Sequence, residues 1–128
     1  MLGSGPKAAG HKVWYFGDGF LPSTKKGPFV SHESVCILNT GGNDAQIRLD
    51  FYFEERSPIK DLAVVIPAER TIHVRLDQIR QADGSLLPRD LPYAIRVRSS
   101  VPVIAQHTRL DVSQPELALM TTVGWPED

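Results

Sequence analysis

The sequence predicts an all-β fold, an antiparallel two-sheet sandwich of jelly-roll type with about eight short strands. Three observations lead there. Apolar and polar residues alternate through most of the chain, while helical periodicity is hard to find. Gly and Pro supply ten residues each, with no regular period, so turns are frequent. Hydrophobic residues make up 41% of 128, enough for one packed core and too few for two.

The elements follow in chain order. Residues 1–11 lack the apolar run of a secretory signal and are expected to form a disordered leader ahead of a domain over 12–128. Residues 13–16 make a short aromatic strand, and Gly17-Asp18-Gly19 reads as a plain turn ending it. A second strand covers 29–38. The clearest alternation spans 45–54, where Ile47, Leu49, Phe51 and Phe53 oppose Gln46, Arg48, Asp50, Tyr52 and Glu54. The dense turn signal between these two strands, Asn39 to Asp44, predicts that they pair as a hairpin. Residues 62–66 form a buried strand stopped by Pro67, and 70–76 alternate again. Asp77 is placed to cap one helical turn over 77–82, which Asp83-Gly84 ends before a Pro-punctuated loop at 86–92. Strands at 93–98, 102–110 and 117–123 complete the set. The last competes with a helix, because Pro115 suits a first helical turn whereas Thr121-Thr122-Val123 favours strand.

Charge and motif content exclude several function classes. Fourteen basic residues meet fifteen acidic ones for a net charge of −1, which argues against binding nucleic acid through phosphate attraction. No run approaches the ~18 apolar residues that would insert in a membrane. Cys36 is the single cysteine, so no disulfide forms within the chain. Its place in Val35-Cys36-Ile37-Leu38 predicts a buried, inert thiol. G-x-S-x-G, phosphate-binding glycine loops and H-E-x-x-H are missing, so enzyme signatures are weak and no cofactor is expected. A cytoplasmic protein is expected.

Two segments offer chemistry. His73-Val74-Arg75-Leu76-Asp77 and His107-Thr108-Arg109-Leu110-Asp111 each place His, Arg and Asp on one face of a strand, ~6.6 Å apart. Such a row suits a solvated face, an interface between subunits or the floor of a polar site. The second copy follows the apolar run 101–105 and Gln106, so its strand passes from core to rim, where binding residues often sit. Arg offers a planar fork of donors, Asp accepts from hydroxyls and His does either, a set suited to polyhydroxylated or anionic small molecules. The alternative is that Arg109 and Asp111 do no more than pair with each other or with Asp and Arg groups on a neighbouring strand. In Ser31-His32-Glu33-Ser34 the His and Glu point to opposite faces. His32 and Cys36 share a face but lie ~13 Å apart, too far to hold one ion, so zinc would need His32, His73 or His107 to converge. Trp14 fits either a sugar-stacking rim or the core, Trp125 pins the C-terminal tail, and Arg96 and Arg98 share a face that suits an acidic partner.

The runs Phe29-Val30-Ser31-His32-Glu33, Cys36-Ile37-Leu38-Asn39 and Asp44-Ala45 are followed by Pro67-Ala68, Arg70-Thr71, His73, Arg75, Pro88, Asp90 and Tyr93-Ala94. Then come Gln106-His107-Thr108-Arg109-Leu110-Asp111, Gln114 and Ala118-Leu119. In this order they resemble the sensory rhodopsin transducer family over roughly residues 12–125. The resemblance implies a jelly-roll sandwich, a homotetramer and a non-enzymatic sensor that binds a small polar metabolite, a sugar or relative, and relays it through protein contacts. It also allows an adaptor for a membrane photoreceptor or another regulatory protein; a metal-dependent jelly-roll enzyme is a third reading. The positions that match its motifs give the candidate site: Trp14, Ser31, His32, Glu33, His73, Arg75, Gln106, His107, Arg109 and Asp111.

Overall fold

The computed structural model describes residues 5–114 and 116–128. Eight strands follow in chain order: β1 (His11–Gly19), β2 (His32–Asn39), β3 (Ala45–Phe53), β4 (Ile59–Ile66), β5 (Arg70–Arg75), β6 (Tyr93–Asp111), β7 (Ala118–Val123) and β8 (Trp125–Glu127). Among the described residues none is helical. One sheet runs β4-β3-β6-β1-β8, the other β5-β2-β6-β7, and every pairing is antiparallel. The inward faces interleave Val35, Ile37, Ile47, Leu49, Phe51, Ile95, Val97 and Val103, each at most 1% exposed. This is the expected sandwich, built by period-two alternation.

The connectivity differs from expectation in instructive places. The two strands expected at 93–98 and 102–110 are one strand of 19 residues, β6, which belongs to both sheets. Residues 93–99 pair with β3, and 104–110 pair with β2. Between them the hydrogen-bond partners change hands without a turn. The Ser100 hydroxyl accepts from the Gln46 N–H, and Pro102 needs no acceptor. The expected hairpin of the second and third strands does not form. β2 pairs with β5 and β6, and β3 with β4 and β6, so the two face each other across the core. The buried Asn39 turns this corner: its amide donates to the carbonyls of Asn43, Ile66 and Pro67, and its Oδ1 accepts from the Gly41 N–H. A side chain bonded to two separate segments fixes a crossover rather than a tight turn.

Three smaller corrections follow. Residues 77–82 are not helical; the Asp77 carboxylate, placed to cap a helical turn, instead takes Arg75 Nε and Nη2 at 2.8 Å each. Gly17-Asp18-Gly19 is no terminating turn but the bulged end of β1, with a register shift between Phe16 and Gly19. Cys36 lies half-buried on the outer face of β2 rather than in the core, with Sγ 4.0 Å from the Thr108 hydroxyl. Trp125 starts a strand that the sequence did not suggest. The segment 118–123 is strand; Pro115, on which the helical alternative turned, lies outside the described residues. Part of the N-terminal segment does too; further on, the Ala9 N–H donates to the Thr40 hydroxyl, which donates to the Lys7 carbonyl.

Candidate functional site

β2 turns Glu33, Val35, Ile37 and Asn39 inward, so the alternation that builds the core also buries one carboxylate, Glu33, at 1% exposure. A buried charge needs partners, and four converge on it. The Tyr93 hydroxyl donates to Oε1 at 2.5 Å, and the Phe20 N–H donates to Oε2 at 2.8 Å. His107 Nε2 lies 2.7 Å from Oε1; a carboxylate oxygen only accepts, so this nitrogen carries the proton. Arg109 Nε forms an ion pair with Oε2 at 3.1 Å. Burial, then the neighbouring Glu33 charge, pushes the Tyr93 phenol well above its usual range, so it stays a donor. Among the described residues, no buried side-chain nitrogen or oxygen lacks a partner.

The bulge in β1 makes room for this network. A Cβ on Gly19 would stand 2.4 Å from the Tyr93 ring, so only glycine lets that ring cross the strand and reach Glu33. On the far side of the network a cavity of about 410 Å³ opens between β1, β6, β7 and β8. His107, Arg109 and Asp18 give it a polar wall; Tyr15, Phe16, Met120 and Trp125 give it an apolar one. The Phe16 ring meets the His107 ring edge-on at 5.7 Å. Arg109 Nη1 donates to Asp18 Oδ2 at 3.2 Å, and Nη2 has no protein partner among the described residues. The guanidinium is therefore clamped by two carboxylates while keeping donors for a third group, a carboxylate or a pair of hydroxyls.

The family model for the Anabaena sensory rhodopsin transducer matches residues 9–126. The chain belongs to that family. Among solved structures it is similar to Thermotoga maritima 1070, with 42% identity, a TM-score of 0.82, and coverage of 92% of this chain and 96% of that one. It is also similar to the Anabaena sensory rhodopsin transducer itself, with 37% identity, a TM-score of 0.73, and coverage of 82% and 92%. Among curated proteins none matches.

Set against this family's motifs, the ten candidate residues divide by strand parity. Glu33, His107 and Arg109 share the inward face and meet. His32, His73, Arg75 and Gln106 lie on the opposite, outer face of the β5-β2-β6-β7 sheet, since Cys36 faces His73 and Gln106, and Ser34 faces Arg75. His32 and His73 thus do not converge with His107 on a metal ion. Among the described residues no group of three His, Cys, Asp or Glu is placed to hold one. Trp14 is 5% exposed, and its indole N–H goes to the Val103 carbonyl at 2.9 Å, an internal strut. The buried Ser31 hydroxyl accepts from the Val112 N–H. Asp111 caps the turn after β6 through Ser113, which holds its carboxyl below the usual range.

The sequence reading missed Tyr93, Asp18, Tyr15, Phe16, Met120 and Trp125. Only Tyr93 carried a signal: alternation puts it inward beside Ile95 and Val97, and a buried hydroxyl demands an acceptor. Arg96 and Arg98 do meet an acid, but within the chain. Asp50, fully buried on the outer side of β3, takes Arg96 Nε and Arg98 Nε at 2.8 Å and the Asp61 N–H at 3.0 Å. Burial opposes its ionisation, but the hydrogen bonds from Arg98, the Asp61 N–H and Arg96 prevail and hold its pKa at about 2.

Proposed function

We propose that this member of the transducer family is a non-enzymatic cytoplasmic sensor, assembled as a homotetramer. It holds a small polar metabolite, a sugar or sugar acid, in the cavity beside Arg109. The observation that carries this reading is the buried Glu33, which fixes His107 and Arg109 as a rigid polar wall opposite Tyr15 and Trp125. A pyranose has two chemically distinct surfaces, C–H faces that stack on aromatic rings and hydroxyls that need directed donors and acceptors. Arg109 and Asp18 supply the second need and the aromatic wall the first. Glu33 also reaches the residue that follows β1 through the Phe20 N–H and the start of β6 through Tyr93, so a ligand that shifts Arg109 acts on both sheets.

A thermal-shift panel of hexoses, pentoses and uronic acids tests it, because a ligand of the folded state alone raises the melting temperature. At least one compound should raise it in the parent protein. Arg109→Ala should keep its fold and lose the shift. A flat response to the whole panel at millimolar concentration, or an Arg109→Ala protein that is unfolded, overturns this reading. The second reading, an adaptor for a membrane receptor, is favoured by the 37% identity to the Anabaena transducer over most of both chains. Among the described residues no helix is long and apolar enough to cross a membrane. Co-sedimentation with receptor-containing vesicles, in light and dark, separates the two.

A further inference from the structure

Arg109 stands between two carboxylates of opposite character. Glu33 is 2% exposed and is held by Tyr93, His107 and the Phe20 N–H besides its ion pair with Arg109 Nε. Asp18 is 85% exposed, and among the described residues its side chain has one bond, the 3.2 Å contact with Arg109 Nη1. Breaking the first pair would strand a buried charge, whereas the second is an exposed pair that stabilises little. Two carboxylates against one guanidinium leave negative charge in excess. A third carboxylate added at Nη2 would enter against that excess, but one that replaced Asp18 would leave the balance unchanged.

A second observation points to a ligand in the same cavity. The His107 side chain is 2% exposed, and its Nε2 is taken by Glu33. Nδ1 has no hydrogen-bond partner among the described residues, and no buried side-chain nitrogen there is left unpaired, so Nδ1 opens on the cavity that His107 lines. With the proton on Nε2, Nδ1 is an acceptor and calls for a hydroxyl.

We propose that Asp18 is a built-in stand-in for the carboxylate of the ligand, and that the cavity takes a hydroxylated carboxylic acid by exchange. The incoming carboxylate replaces Asp18 on Arg109, and a hydroxyl of the same molecule donates to His107 Nδ1. The exchange presupposes that this cavity is the binding site, and within that reading it selects a sugar acid over a neutral sugar. A hydroxyl is a weaker acceptor than a carboxylate, so a neutral sugar leaves the Asp18–Arg109 pair in place. The movement is local. A Cβ on Gly17 would meet nothing within 4 Å, so the chain beside Asp18 has open space, while the Phe20 N–H stays anchored on Glu33. Asp18 also lines a second cavity, of about 260 Å³, with Tyr52, Phe53 and Pro92. Exchange in the first cavity therefore reshapes the wall of the second, a change at the surface that another protein can read.

Titration calorimetry of D-gluconate, D-glucuronate and D-galacturonate against D-glucose, D-galactose and sorbitol tests the exchange in the parent protein and in Asp18→Ala. At least one acid should bind the parent. Asp18→Ala alters an exposed side chain and should fold normally. It removes the internal competitor, so it should bind that acid about two- to fivefold more tightly. In the parent, saturating acid should move the Gly17 and Gly19 amide resonances toward their positions in ligand-free Asp18→Ala, which separates release of Asp18 from the loss of a nearby charge. An acid that binds Asp18→Ala no more tightly than the parent overturns the proposal. So do Gly17 and Gly19 resonances that stay in place as the acid binds. Binding of neutral sugars alone also overturns it, yet leaves the cavity standing as a sugar site. Silence from every compound in both proteins overturns the binding-site reading itself, and the exchange with it.

Discussion

Replacing Asp50 by Asn separates a charge effect from a packing effect, because the two side chains are nearly the same size. In the folded protein the hydrogen bonds from Arg98, the Asp61 N–H and Arg96 outweigh burial and lower the Asp50 pKa from 3.8 to about 2. At ~1.4 kcal/mol per unit, ionised Asp50 contributes about 2 kcal/mol of stability. The sign follows from linkage. The folded-state pKa lies below the unfolded one, so the contribution is complete above the unfolded value and is lost as pH falls through the folded value. The stability gap between parent and Asp50→Asn should be about 2 kcal/mol at pH 7 and about 0.4 kcal/mol near pH 2. Urea denaturation at a series of pH values measures both proteins, and taking the difference cancels the other carboxylates. A gap that stays constant from pH 6 to pH 2 would falsify the claim that Asp50 acts through its charge.

Three further substitutions probe the core and the Glu33 network. Phe51→Ala removes a fully buried ring and should cost ~3–5 kcal/mol, read as a lower urea midpoint at unchanged slope; a cost under ~1 kcal/mol would mean the ring does not fill the core. Tyr93→Phe deletes a hydrogen bond to a buried carboxylate and should cost ~1.5–3 kcal/mol by the same assay, with no loss expected if the hydroxyl is idle. Gly19→Ala drives a methyl group into the Tyr93 ring and should cost ~1–3 kcal/mol. Most of the Gly19→Ala loss should vanish in a Tyr93→Leu background; simple additivity would argue against that contact.

Strand content was legible because period-two alternation is written into single residues: Ile47, Leu49 and Phe51 announce their face without any partner. Connectivity was not, because it depends on which strand lies beside which. The Asn39 amide shows why. Its sequence neighbourhood looks like a hairpin turn, and only its bonds to Ile66 and Pro67 reveal a corner between sheets. The same distinction governs the site. Glu33, His107 and Arg109 were readable as polar groups in apolar strands, and parity correctly sent His32 away from Glu33. Parity could not show that His73 and Arg75 face outward while the matching pair on β6 faces inward, since that depends on pairing with β2. Asp18 and Trp125 come from the two ends of the chain and meet only because β8 pairs with β1.

The 19 residues of β6 also set how the molecule comes apart. Since β6 is an interior strand of one sheet and of the other, neither sheet can be peeled away whole without breaking a ladder of the other. The two sheets therefore share one cooperative transition, and amides at Val97 and Ala105 belong to the same unfolding unit. Most of the pairings join residues far apart in sequence, so that unit forms slowly and only after β6 has been synthesised. A chain cut before Tyr93 has lost the central strand of both sheets.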